Sequence, residues 1–110
     1  MALNMKSIEK LQSFLKFPDN WNGYGASHFS EEYLRYVKCL LEQIPEKAEV
    51  FPIPDGRVQF EFDKDDGAYL ELEINSDDTI DVFEIRADKT EREYIAYSKD
   101  IARIVMDFYG

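Results

Sequence analysis

Glu61, Glu71 and Glu73 come closest, by type and alternating spacing, to residues that could do acid/base work or hold a divalent cation. Paired carboxylates act as acid and base when a cleft gives them unequal environments, and a flat sheet face supplies no such difference. No glycine-rich phosphate loop, zinc-ligand spacing or dinucleotide fingerprint accompanies them. The single histidine, His28, precedes a helical stretch, and the single cysteine, Cys39, falls on that helix away from its apolar side, so no thiol and imidazole pair is expected. Asp63-Lys64-Asp65-Asp66-Gly67 imitates the start of a calcium loop. Its glycine, however, stands at the fifth position instead of the sixth, and Ile74 occupies the twelfth, where a bidentate Glu is required. No catalytic residue, no metal site and no cofactor is therefore expected.

The second notable group lies in Asn20-Trp21-Asn22-Gly23-Tyr24-Gly25-Ala26. Gly23 and Gly25 permit backbone conformations closed to other residues, and Trp21 and Tyr24 can fold back as anchors between two helices. The alternative is a small-ligand pocket lined by Trp21 and Tyr24.

These residues must be positioned by an α+β fold. Met5, Ile8, Leu11 and Leu15, with Phe14 beside them, recur at helical spacing, and Asn4 is the expected N-cap. Phe29, Tyr33, Val37, Leu40, Leu41 and Ile44 form a second helical stripe, with Ser27 and Ser30 as candidate caps and Pro45 as its stop. The period then changes to two. Val58, Phe60 and Phe62 alternate with polar residues, as do Leu70, Leu72 and Ile74. Ile53-Pro54-Asp55-Gly56-Arg57 reads as a tight hairpin after a strand at Glu49 to Ile53, and Pro52 puts that strand at a sheet edge. Lys64 to Gly67 and Asn75 to Asp78 supply further turns, Thr79 to Arg86 a fourth strand, and Glu93 to Tyr97 a short fifth. A final helix, capped by Ser98, carries Ile101, Ile104, Val105 and Phe108 at helical spacing. The expected order is ααββββ(β)α: two helices, an antiparallel meander of four to five strands, and a C-terminal helix, with the helices on one face of the sheet. Residues 1–110 read as a single domain, without internal repeat or linker.

Register follows from the inward residues. Setting Val58, Phe60 and Phe62 against Ile74, Leu72 and Leu70 places Glu61 opposite Glu71 and Gln59 opposite Glu73. Extension to the fourth strand leaves Asp81, Phe83 and Ile85 outward beside Glu73, Glu71 and Tyr69. Glu61, Tyr69, Glu71, Glu73, Asp81, Phe83 and Ile85 then form an acidic and apolar face suited to a partner, unless the last helix or a long side chain such as Arg57 or Arg86 covers it.

Composition points the same way. Apolar residues make up 45% of the 110, enough to form a core. With 23 Asp and Glu against 13 Lys and Arg, the net charge of -10 disfavours direct nucleic-acid binding and favours a partner protein with a basic surface, or solubility alone. One cysteine allows no internal disulfide, no run approaches the length of a membrane span, and Met1 to Lys6 carries no apolar export signal, so a cytoplasmic protein without membrane attachment is expected.

The run NWNGYGA, followed by a helix and then PIPDGRVQFEF and YLELEI, resembles a broad group of short, largely uncharacterised bacterial and phage-associated proteins. Their loop reads NWDGYGA-like and their hairpin DGG-[IV]-x-[LF]-E-[WF]. The likeness spans about Phe17 to Ile74, with Asn22 where Asp is usual, Arg57 where a second Gly is usual and Phe62 where Trp is usual. It implies the α+β architecture and a bacterial or mobile-element setting, and transfers no catalytic residue. The resulting expectation is a non-enzymatic acidic interaction module of the inhibitor, immunity, antitoxin or phage anti-defence kind. A small-ligand or housekeeping module using the Trp21 and Tyr24 loop comes second, an enzyme third. Self-association through the same face is a further expectation.

Overall fold

The computed structural model describes residues 3–110; Met1 and Ala2, the start of the segment read for an export signal, lie outside that description. Helix α1 spans Met5–Ser13 and tightens into a 3-10 turn at Phe14–Lys16; α2 spans Glu31–Glu42. Five strands follow, β1 Glu49–Pro52, β2 Val58–Asp63, β3 Tyr69–Ile74, β4 Thr79–Ile85 and β5 Glu91–Tyr97, and a 3-10 turn at Ser98–Asp100 leads into α3, Ile101–Tyr109. The sheet is one antiparallel meander in the order β1-β2-β3-β4-β5.

Alternation separates the two faces. Val50, Val58, Phe60, Phe62, Leu70, Leu72, Ile74, Ile80 and Val82 are buried and share one cluster with Ile8, Leu11 and Phe14, with Val37 and Leu41 of α2, and with Ile101, Val105 and Phe108 of α3. Apolar residues spaced three and four apart give each helix the stripe that this strand face needs as its cover.

The expected caps divide. Ser30 caps α2, its hydroxyl accepting from the Tyr33 N–H at 3.3 Å. Asn4 makes no cap bond. Its amide instead donates to the Glu46 carbonyl at 3.1 Å and accepts from the Ala48 N–H at 2.9 Å, because the segment entering β1 offers a buried donor and acceptor that it satisfies together. Ser98 does not cap α3 either. Its N–H continues the β4–β5 ladder to the Asp78 carbonyl at 2.8 Å, so the helix starts three residues later. Strand β5 begins at Glu91, two residues before the expected Glu93.

The meander also carries a repeat that the reading of the sequence missed. Asp55, Asp66, Asp77 and Asp88, spaced 11 residues apart, each accept from the N–H two residues on, at 3.0 to 3.2 Å. The residues that follow them, Gly56, Gly67, Asp78 and Lys89, all have positive φ, from 68 to 89°. Each turn is closed by the residue two before the aspartate, as when the Ile53 N–H donates to the Arg57 carbonyl and the Arg86 N–H to that of Thr90, both at 2.9 Å. This is the three-residue hairpin loop ending in a left-handed residue, used four times. It escaped notice because only two of the four left-handed positions are glycine, and because an odd period reverses the inward and outward roles of residues 11 apart.

Candidate functional site

The face turned away from the core carries the candidate site. Glu61 stands opposite Glu71, Gln59 opposite Glu73, Glu73 opposite Asp81, Glu71 opposite Phe83 and Tyr69 opposite Ile85. All seven residues expected there are half-buried, and they lie together on β2, β3 and β4.

Arg57 divides this face in two. From the start of β2 its guanidinium reaches Asp55 at 2.7 Å, Glu73 at 2.9 Å and Asp81 at 3.4 Å, and donates to the Asn75 amide oxygen at 2.9 Å. Partial burial opposes its charge, but the three carboxylates outweigh that and hold its pKa above the ordinary arginine value. Glu73 and Asp81 thereby share one countercharge with Asp55. Glu61, Glu71 and, on β5, Glu93 have none: among the described residues no Lys or Arg nitrogen lies within 4.0 Å of their carboxylates.

Tyr69 lies beside this unpaired set. Its hydroxyl donates to Glu71 at 3.0 Å, and its ring meets Phe83 edge-on with centroids 6.4 Å apart. Burial, and then the carboxylates of Glu71 and Glu61, push its phenol far above the ordinary tyrosine range, so it acts as a fixed donor. Neither α3 nor Arg86 covers the face. The buried residues of α3 belong to the core, and Arg86 turns to Glu84, which it shares with Arg92 at 4.0 and 3.6 Å.

Strand β5 widens the face with residues the sequence reading did not include. Glu93 pairs with Phe83, Ile95 with Asp81 and Tyr97 with Thr79. Ile95 and Tyr97 are 72% and 62% exposed, a high value for large apolar side chains. A shallow groove of about 560 Å³ runs across β3, β4 and β5 between Glu71, Phe83, Glu93 and Ile95. Continued alternation from β4 was the signal that could have found them, once the turn at Asp88 is recognised as the fourth of its kind.

The Trp21 loop is a clasp. The Trp21 indole N–H donates to the Ser27 carbonyl at 2.8 Å, and its ring packs on Phe17 and Phe29 at 5.2 and 6.1 Å. Asn22 accepts from the Tyr24 and Ala26 N–H groups at 2.8 and 3.2 Å, and Asn20 from that of Gly25 at 2.6 Å. Gly23 and Gly25 take φ of 79 and 86°, as a loop wrapped around two side-chain amides requires. Tyr24 is 93% exposed, so its ring does not join Trp21 in a common wall. The Ser27 N–H donates to the Pro54 carbonyl at 2.8 Å, which ties the loop to the β1–β2 hairpin.

His28 and Cys39 do not pair. The His28 ring meets Asp19 at 2.7 Å, while Cys39 is exposed on α2. Asp66 of the calcium-like run is occupied by the Ala68 N–H within its turn. Among the described residues no three His, Cys, Asp or Glu side chains converge to hold a metal ion, and no helix is long and apolar enough to cross a membrane.

The arrangement is a five-stranded α+β meander with one face in the core and one face acidic and open. Comparison with protein-family models, curated proteins and solved structures finds no match.

Proposed function

We propose that this chain is a non-enzymatic interaction module, of the inhibitor, immunity, antitoxin or phage anti-defence kind, whose open sheet face binds a basic surface on another protein. The carrying observation is the set Glu61, Glu71 and Glu93, without a cation in reach and placed around the half-buried Phe83 and the exposed Ile95. Unpaired carboxylates steer a basic partner, and the apolar residues between them supply the desolvated centre of a contact. Glu61 and Glu71, about 4.8 Å apart across neighbouring strands, also present adjacent anions of the sort a phosphate-binding cleft accepts. A nucleic-acid-handling protein of a competing genetic element fits that chemistry, and a cytoplasmic setting goes with it.

The test is capture of partners from host lysate by the wild-type chain and by the combined variant Glu61→Lys, Glu71→Lys and Glu93→Lys. A basic protein held in stoichiometric amount by the wild type, released by salt and lost from the variant supports the reading. Equal retention by both overturns it.

A further inference from the structure

The two edges of the sheet are unlike. Strand β1 is four residues long and ends in Pro52, which has no N–H to donate. Helix α1 also lies against it, with the Ser7 hydroxyl donating to the Ala48 carbonyl and the Lys10 amine 4.2 Å from the Phe51 ring centre. Those are the devices by which proteins close an edge. Strand β5 lacks the short length and the proline: it runs for seven residues without Pro or Gly, five of the seven are exposed, and its charges are Glu91, Arg92 and Glu93.

Its hydrogen-bonding polarity can be read from the bonds just beyond its two ends. The Arg86 N–H donates to the Thr90 carbonyl and the Ser98 N–H to that of Asp78, so the pairs 86 with 90 and 78 with 98 are hydrogen-bonded pairs of the β4–β5 ladder. Such pairs alternate with non-bonded ones in an antiparallel ladder. Arg92, Tyr94 and Ala96 therefore spend their backbone groups on β4, and Glu91, Glu93, Ile95 and Tyr97 turn theirs to the open edge. The same four residues send their side chains to the acidic outward face. An incoming strand thus meets free backbone groups and, beside them, two carboxylates followed by two large apolar side chains.

We infer that β5 accepts an extended, basic and apolar segment of the partner as a sixth, antiparallel strand. The inference rests on the reading of the face as a docking surface and names the form of the partner. Opposite Tyr97, Ile95, Glu93 and Glu91, in that order, its residues are apolar, apolar, basic and basic at alternate positions, because cross-strand neighbours of opposite charge or shared apolar character stabilise a ladder. A second copy is the poorer occupant: pairing two β5 strands gathers Glu91 and Glu93 of both chains, each of net charge -10, on one face.

The probe is a blocked peptide, Val-Thr-Val-Thr-Lys-Thr-Lys, titrated into the full chain by calorimetry. Two N-methylated forms separate backbone pairing from charge attraction. Methylation of the second valine, opposite Ile95, removes an N–H aimed at β5 and is expected to weaken binding about tenfold or more. Methylation of the central threonine, opposite Tyr94, removes one aimed at solvent and leaves binding within about threefold. Ile95→Pro, which deletes an edge-facing N–H of the protein, weakens binding to the same extent as the valine methylation. No binding of the parent peptide, equal binding of both methylated forms, or a dimer that Ile95→Pro dissociates overturns the inference. Failure of the docking surface itself is read separately, from partner capture by Glu61→Lys with Glu71→Lys, whose carboxylates lie on β2 and β3 away from this edge.

Discussion

Glu61 and Glu71 face each other directly across β2 and β3, with Tyr69 as the donor that Glu71 holds. Like charges so placed cost about 0.2 to 1 kcal/mol, and no arginine or lysine among the described residues offsets them. Glu61→Gln is accordingly expected to raise stability in urea unfolding by that amount and to weaken capture of a basic partner. Loss of stability in Glu61→Gln would show that the carboxylate serves the fold.

The four hairpins predict opposite outcomes at equivalent positions. Asp78 and Lys89 take positive φ of 68 and 75°, a region that glycine enters without the steric cost of a Cβ. Asp78→Gly and Lys89→Gly should each stabilise by about 0.5 to 1 kcal/mol, and Gly67→Ala should destabilise by a similar amount. Gly56→Ala should cost a similar amount through its φ of 89°, since its Cβ would stand in ordinary contact, 3.4 Å from the His28 carbonyl oxygen. Thermal unfolding of the four variants measures the ordering.

Tyr33 closes the end of the β2–β3 ladder. Its hydroxyl donates to the Ile74 carbonyl and accepts from the Val58 N–H, both at 2.7 Å, and these residues form a register pair. Tyr33→Phe removes both bonds and should cost about 1 to 3 kcal/mol in denaturant unfolding.

The pH dependence has an acid and an alkaline limb. Asp19, through its hydrogen bonds to His28, and Asp77 and Asp88, through their bonds to Thr79 and Thr90, are held below the ordinary 3.8 in the folded chain. Their contribution is complete above that value and is lost as falling pH passes through the native pKa values. Burial raises Tyr33 and Tyr69 above the ordinary 10.0, so their contribution is complete below pH 10.0 and is lost as the pH rises past it. Unfolding followed from pH 2 to 12 should show a plateau bounded by both losses. Phenolate absorbance should show the Tyr33 and Tyr69 titrations moved to the alkaline side of 10.0.

Much of this was legible in the sequence, for physical reasons that also mark where it was not. Side-chain alternation is a strict period, so Val58, Phe60 and Phe62 set against Ile74, Leu72 and Leu70 fixed which carboxylates would meet. Hydrogen-bond choice at element ends is not periodic. Asn4 and Ser98 have the right chemistry for caps, yet tertiary partners at Glu46, Ala48 and Asp78 took their groups. The reach of Arg57 over Glu73 and Asp81 likewise depends on one rotamer across three strands, which no local pattern encodes. The outward role of Glu93, Ile95 and Tyr97 was hidden because the turn before them closes on Lys89 where a glycine would have announced it.

The most direct test of the central claim is capture from host lysate at low and high salt by three chains. These are the wild type, the sheet-face reversal Glu61→Lys, Glu71→Lys and Glu93→Lys, and an equal reversal on the helices, Glu9→Lys, Glu42→Lys and Asp107→Lys, all at exposed positions. A basic protein is expected to bind the wild type and the helix variant alike at low salt and to be lost only from the sheet variant. Capture lost equally from both variants, or kept by both, would contradict it.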